Sequence, residues 1–404
     1  MKYDVIIVGA GIAGLYAATR LQKKMGTNAK ILVLEKHKRK WLGGRTGNEM
    51  FQGVNVVTGA GIGRKAKDKL LVKLLKEYKI SHNEFMVDKQ YASTIINPVD
   101  TKKVVRYLTQ EYEKAPFRAK GKTFKQFAIE ILGVNIYNKY MECAEYTDYE
   151  KADVYETLYN YGLDDNESGW TGMMIPWQKL IEKMADDVSI KYSQTVSEIM
   201  KTSDDHIIIK TEEGSQEGSN ERLRMRRGKI YECSKLIIAT TITSLRKLLP
   251  YHREYKSVEG QPFLRLYGKF EKESAEIMVR EVPKMTIVPG PLKKMIPMGQ
   301  GVYMFGYTDN EMAERLKDKL KNTEMNREFM CRLIEKSLGI RKNMLKMTAM
   351  RDYYWPVGTH YYKPGIEKYN SLSNPEPNIY VVGEMVSKKQ GWVEGALESV
   401  ETVL

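Results

Sequence analysis

The 404-residue chain holds only three cysteines, Cys143, Cys233 and Cys331, at spacings that pair with nothing. That scarcity excludes a disulfide framework and a thiolate metal site, and it points to a reducing compartment. No run of eighteen apolar residues occurs, so no transmembrane helix is expected. An apolar strand starting at residue 3 leaves no place for a secretory leader, and a soluble intracellular protein is expected. The five histidines lie far apart in sequence. No Ser/His/Asp triad, metal cluster or paired-carboxylate constellation stands out, so a bound cofactor is expected to carry the chemistry.

The chain is 42% hydrophobic, enough for a sizeable core and too long for one ordinary domain. Its formal charge is +14. Such an excess suits an anionic partner such as nucleic acid, a membrane surface or an acidic protein, or simply a lysine-rich solvated surface. Lys65, Lys67, Lys69, Lys73 and Lys76 fall along one predicted helix and read as the latter, whereas Arg222, Arg224, Arg226 and Arg227 form a denser cluster in a polar loop. Heavy use of Lys, Ile, Asn, Met and Tyr fits an AT-rich genome, as in a large DNA virus.

The opening of the chain is its most informative part. Val5–Val8 is a continuous apolar run, the mark of a parallel strand covered on both faces. It leads into Gly9-Ala10-Gly11-Ile12-Ala13-Gly14. In this pattern Gly9 permits a tight turn, Gly11 lets a pyrophosphate approach the backbone, and Gly14 lets the next helix pack closely. The helix N-terminus at Ile12 and Ala13 offers free N–H groups and a positive dipole end to phosphate. A second strand, Ile31–Leu34, ends at Glu35 and Lys36, and Glu35 stands 21 residues after Gly14, where a ribose-binding carboxylate belongs. A dinucleotide site is expected.

Further along, Phe124, Phe127, Ala128, Ile131 and Leu132 recur at helical spacing, so residues from about 100 to 184 read as mainly helical. Short strands are expected at 189–192, 196–200, 207–210, 229–233 and 236–240, with an exposed polar loop over 212–228. Phe263–Phe270, Met285–Val288 and Val302–Tyr307 read as strands of another sheet, and Asn310–Leu338 as two helices. The chain closes with a strand at Ile379–Val382, then Gly383-Glu384 and the run Gly391-Trp392-Val393-Glu394-Gly395-Ala396.

Trp41-Leu42-Gly43-Gly44-Arg45-Thr46, Gly59-Ala60, Gly383-Glu384 and Gly395-Ala396 together resemble the flavin-containing amine oxidase family. The resemblance spans nearly the whole chain, strongly at both ends and weakly in the middle. It implies an α/β fold in which a Rossmann-like FAD-binding domain (1–90, 185–250 and 345–404) is interleaved with a mixed-sheet plus helical substrate domain (91–184 and 251–344). It also implies that Gly43, Gly44 and Arg45 lie near the flavin pyrophosphate or ring edge. Val196 falls where a backbone meets adenine, equally the place of a plain core residue. Glu384 falls at the ribityl–phosphate region, and the helix from Val393 points its N-terminus at the flavin.

Two positions depart from the family. Trp392 stands where an amine oxidase places one aromatic of a cage that guides the amine, and its cage partner falls at Gly358, which has no ring. Tyr354, His360 and Tyr361 are the nearby substitutes. Arg265 aligns with a lysine that holds a water beside flavin N5, with Lys269 as the alternative match; arginine is not interchangeable with that lysine. No cysteine follows Cys331, so the cysteinyl flavin link of some relatives is excluded and FAD is expected to be noncovalent. Some relatives carry a C-terminal membrane span; with the last helix running up to Leu404, none is expected here. The leading expectation is an amine oxidase in which a neutral amine loses hydride from its α-carbon to flavin N5 and becomes an imine. The alternatives are a flavin dehydrogenase or desaturase acting on a non-amine, and a flavoprotein with a structural or interaction role.

Overall fold

The apolar run Val5–Val8 lies within a strand, Lys2–Val8, at the centre of a seven-stranded sheet. It pairs in parallel with Ile31–Leu34 on one side and Ile230–Ile238 on the other. Val5 and Ile7 enter one buried cluster and Ile6 and Val8 another, so both faces are covered, as the unbroken apolar pattern requires. Ile190–Lys191 extends the sheet beyond Ile31–Leu34. On the far side, Ile230–Ile238 pairs antiparallel with Ile207–Glu213 through its first half and parallel with Ile379–Val381 through its second. The last strand of the chain therefore returns to lie two places from the first. The structure, a computed structural model, describes residues 2–202, 204–213, 228–365 and 370–404. The basic run from Arg222 to Arg227 and most of the polar loop lie outside the described residues.

A six-stranded sheet forms the second layer, in the order Met347–Tyr362, Val258–Phe270, Val302–Asp309, Lys294–Gly299, Met285–Ile287 and Lys89–Tyr91. Leu264 and Leu266 point to a core formed with Phe305, Met330 and Ile334, leaving Phe263 and Arg265 on the opposite face. That core is closed by the helices Asn310–Leu316 and Glu324–Leu338. A helical group, Thr101–Lys114, Phe124–Leu132 and Val134–Cys143, packs about Leu108, Phe124, Phe127, Tyr137 and Tyr140. Its apolar spacing is the one visible in the sequence.

The structure departs from the sequence reading in identifiable places. Lys65 and Lys67 precede the helix, which begins at Lys69, and they pair with Glu84 and with Asp164 and Asp165. The two strands expected at 229–233 and 236–240 are one, Ile230–Ile238. The sixteen-residue strand Met347–Tyr362 was not expected, and it runs through Pro356 and Gly358. It belongs to the six-stranded sheet, and register shifts in its pairing with Val258–Phe270 absorb both residues. The helix Lys272–Glu281, the strand Lys294–Gly299 and the hairpin of Asn48–Phe51 with Val54–Val57 are further additions. All three cysteines are free and buried. Among the described residues, no helix is long and apolar enough to cross a membrane, and no group of three or more metal-ligating side chains occurs.

Candidate active site

A cavity of about 1900 Å³ runs between the two sheets. One end is the glycine turn. Gly9 takes φ +105°, and a Cβ there would lie 2.5 Å from the Ala239 carbonyl oxygen. A Cβ on Gly14 would lie 2.0 Å from the Gly9 carbonyl oxygen, which is the close helix–strand packing this glycine exists to allow. Gly11 differs: the nearest atom to a Cβ is 4.0 Å away, and the residue lines the cavity. The helix Ile12–Met25 begins at Gly11 with no side-chain cap, so its first-turn N–H groups stay free for an anion. Glu35 also lines the cavity, with one oxygen accepting from Ala10 N–H at 2.7 Å and the other from His37 N–H at 2.9 Å. Its remaining lone pairs can accept from ribose hydroxyls. Lys36 and Val196 line the same end, and Val196 sits where the strand register shifts. Open space at Gly11, an uncapped helix and an acceptor carboxylate fit the adenosine diphosphate half of FAD.

The middle of the cavity is fixed by Arg45 and Glu384. Gly43 and Gly44 both have positive φ, +87° and +57°, and they turn the chain so that Arg45 Nη1 donates to Glu384 Oε1 at 2.9 Å and to the Gly358 carbonyl at 2.7 Å. Gly59 and Ala60 press on the same loop: a Cβ on Gly59 would lie 2.1 Å from the Arg45 carbonyl oxygen, which accepts from Ala60 N–H. Glu384 also accepts from Gly391 N–H at 3.0 Å and from His360 Nδ1. Ile242 N–H donates to His360 Nε2, so Nδ1 is the ring nitrogen that carries the hydrogen. Burial works against charge on Glu384, but His360, Arg45 and the Gly391 N–H outweigh it and hold the carboxyl well below the usual range. Gly383, at φ +129°, turns the chain just before this carboxylate. His360 is committed to this network and is no cage residue.

Trp392 lines the cavity and caps the last helix, Val393–Val403, whose first turn has no side-chain cap. Val393 lines the cavity beside it, while Glu394 turns away and accepts from Leu70 and Leu71 N–H. The Arg64 guanidinium lies 3.7 Å from the centre of the Trp392 ring. Arg64 is buried and held by Asp68 and Asp165, each at 2.6 Å. Gly358 has no room for a ring, since a Cβ would lie 2.1 Å from Cβ of Phe263. Tyr354 does line the cavity, with its hydroxyl on Glu314, whereas Tyr361 lies outside it.

Arg265 is 1% exposed and lies inside the sheet rather than at an edge. Its Nε donates to the Gly59 carbonyl at 2.8 Å and Nη1 contacts Met304 Sδ at 3.3 Å; no carboxylate is paired with it among the described residues. Its guanidinium lies 4.0 Å from the Tyr307 ring centre, and Lys294 lies 4.2 Å from that same ring. Lys294 is neutralised by Glu145 at 2.8 Å. Lys269 reaches the Gln300 carbonyl and lies outside the cavity. Tyr146, Tyr307, Phe263 and Trp355 line the cavity and were not singled out in the sequence. They come from four separate segments that no spacing connects.

A glycine-turn dinucleotide sheet joined by one cavity to a mixed sheet defines a flavin-dependent oxidoreductase. The flavin containing amine oxidoreductase model matches residues 152–402, and the chain belongs to that family. A NAD(P)-binding Rossmann-like domain model matches residues 7–78. Among solved structures, a double mutant of putrescine oxidase superposes with a TM-score of 0.74 at 15% identity, covering 100% of this chain and 98% of that one. The wild-type putrescine oxidase bound to putrescine gives 0.73 at 15% identity, with coverages of 100% and 98%. No curated protein matches the sequence. The chain is an FAD-dependent enzyme, and none of its cysteines lines the cavity, in keeping with a noncovalent cofactor.

Proposed function

We propose that the enzyme oxidises a small-molecule amine at the end of the cavity lined by Arg265, Tyr307 and Trp392. The observation that carries this is continuity. One cavity links the phosphate-binding turn at Gly11, through Arg45 and Glu384, to this aromatic end. Gly9, Gly11, Ile12, Ala13, Gly14, Glu35 and Lys36 would hold the adenosine diphosphate half, Gly43, Gly44, Arg45, Gly383 and Glu384 the ribityl chain, and Val393 the ring edge. Bound FAD supplies the two-electron acceptor for the hydride of the amine-bearing carbon.

The residues of the chain provide place and charge. Trp392 and Tyr307 are walls that orient the carbon and exclude water. Arg265, buried without a counter-ion among the described residues, and the uncapped N-terminus of Val393–Val403 provide fixed positive potential where negative charge develops. The substrate, R–CH2–NH2, would leave as an iminium cation, which water hydrolyses to an aldehyde and an ammonium ion. Putrescine, bound by the similar solved structure, is a first candidate within this class. The test is product analysis: an aldehyde trapped by a hydrazine reagent, with turnover slowed by deuterium on the α-carbon. Absence of aldehyde from every mono- and diamine tried would defeat the proposal.

A further inference from the structure

The aromatic rings at the substrate end already carry cations. Arg64 lies on Trp392, and Arg265 and Lys294 both lie on Tyr307. A ring face so occupied has little attraction left for another cation. An amine is an ammonium ion in neutral water and must find its counter-charge elsewhere. Glu35 and Glu384 are committed to the network described above, and Asp88 pairs with Lys284 at the surface. Asp352 also lines the cavity, but it is only half-buried, and the buried acceptor without a partner stands beside Asp148 instead.

Asp148 is different. It lines the cavity, is 7% exposed, and has no Lys, Arg or His paired with it among the described residues. Its carboxylate accepts from the Tyr161 hydroxyl at 2.5 Å. Beside it, Gln261 is 3% exposed; its Nε2 donates to the Asp148 carbonyl at 2.7 Å, while its Oε1 is buried with no hydrogen-bond partner. Asp148, Gln261, Tyr161 and Gly391 line a side cleft of about 20 Å³, and all but Gln261 also line the main cavity. That volume holds one water-sized group. A buried carboxyl with no paired cation and a buried amide oxygen with no donor can both accept from an incoming N–H cation.

We propose that this cleft receives the ammonium group of the substrate, with Asp148 as its counter-ion and Gln261 Oε1 as a second acceptor. The inference rests on the amine reading above and assigns it a binding residue. Burial, helped by the charge of Asp309, raises the Asp148 carboxyl to about 8, so in the free enzyme at neutral pH it carries a proton. Tyr149, Tyr161, Tyr361, Glu156, Asp309, His360 and Lys388 are the titratable groups packed around it. Lys388 acts on Glu156 and His360 pairs with Glu384, and no ion pair joins either of them to Asp148 among the described residues. An arriving ammonium favours the ionised carboxylate, and its affinity therefore rises with pH through this range.

The test compares the wild-type holoenzyme with Asp148→Asn. Two probes are titrated anaerobically against the flavin spectrum: a set of oxidisable primary amines, and tert-butylammonium, which has no α-hydrogen. Affinity for both is expected to fall by about tenfold or more in Asp148→Asn, and by about threefold in Tyr161→Phe, which keeps the charge. The rise in affinity with pH is expected to vanish in Asp148→Asn. Melting of Asp148→Asn reports folding separately. Equal affinity in wild type and variants overturns the assignment, as does failure of tert-butylammonium to perturb the wild type. If tert-butylammonium binds through Asp148 and no amine reduces the flavin, the cleft stands and the oxidase reading falls.

Discussion

The guanidinium of Arg64 lies 3.7 Å from the centre of the Trp392 ring and is itself gripped by Asp68 and Asp165. The wall of the active site is thereby tied to the helix Lys69–Glu77 and to the segment at Asp165. Arg64→Met would leave the buried Asp68 without a cation, while Asp165 keeps Lys67, a loss of about 3–5 kcal/mol. The expected result is a large drop in denaturant midpoint. Trp392→Phe, which keeps a ring over the guanidinium, should retain most of the stability. Equal stabilities for the two variants would contradict the arrangement.

Gly11 and Gly14 should separate cofactor binding from folding. Gly14→Ala drives a Cβ to 2.0 Å from the Gly9 carbonyl oxygen, and a backbone atom cannot step aside. A loss of about 1–3 kcal/mol is expected for such overpacking, with FAD lost too. Gly11→Ala meets nothing nearer than 4.0 Å in the protein, but it fills space at the phosphate turn. Its apoprotein should melt like the wild-type apoprotein while FAD retention falls. Calorimetry of the apoproteins and the flavin-to-protein absorbance ratio check both.

Arg265 has no carboxylate partner among the described residues and stacks on Tyr307. Arg265→Gln removes the positive charge and should slow anaerobic flavin reduction by about ten- to a hundredfold through lost electrostatic stabilisation, with FAD still bound. Stopped-flow absorbance measures this directly. The engaged guanidinium also predicts slow reoxidation by oxygen, which Arg265→Lys should quicken.

Asp148 and Glu156 are raised in the folded protein, to about 8 and about 7, chiefly by burial. A carboxyl whose folded pKa exceeds its unfolded value contributes stability that is fully present below the unfolded value and is lost as pH rises through the folded one. The melting temperature without amine should therefore fall between about pH 4 and pH 8. Asp148→Asn should flatten that fall and melt at or above the wild type near pH 8.

The ends of the chain were legible because their patterns are written in consecutive residues: an apolar strand into the glycine turn, a strand ending at Glu35, a strand ending at Gly383-Glu384. The contacts that these residues make, Gly9 with Ala239 and Glu384 with Arg45 and His360, come from distant segments. The substrate end was not legible. Arg64, Asp148, Gln261 and Tyr307 meet only through pairing of distant strands and a loop, and nothing in their local sequence marks them. Strand periodicity failed at Met347–Tyr362 for a related reason: Gly358 is required by the Phe263 backbone and Cβ across the sheet, a demand invisible along the chain.

The most direct measurement is the visible spectrum of the purified protein before and after anaerobic addition of an amine. The account predicts a bound-flavin spectrum whose oxidised band bleaches with at least one primary amine, and bleaching that slows in Arg265→Gln. A protein that binds no flavin, or a flavin band that no amine bleaches, would contradict it.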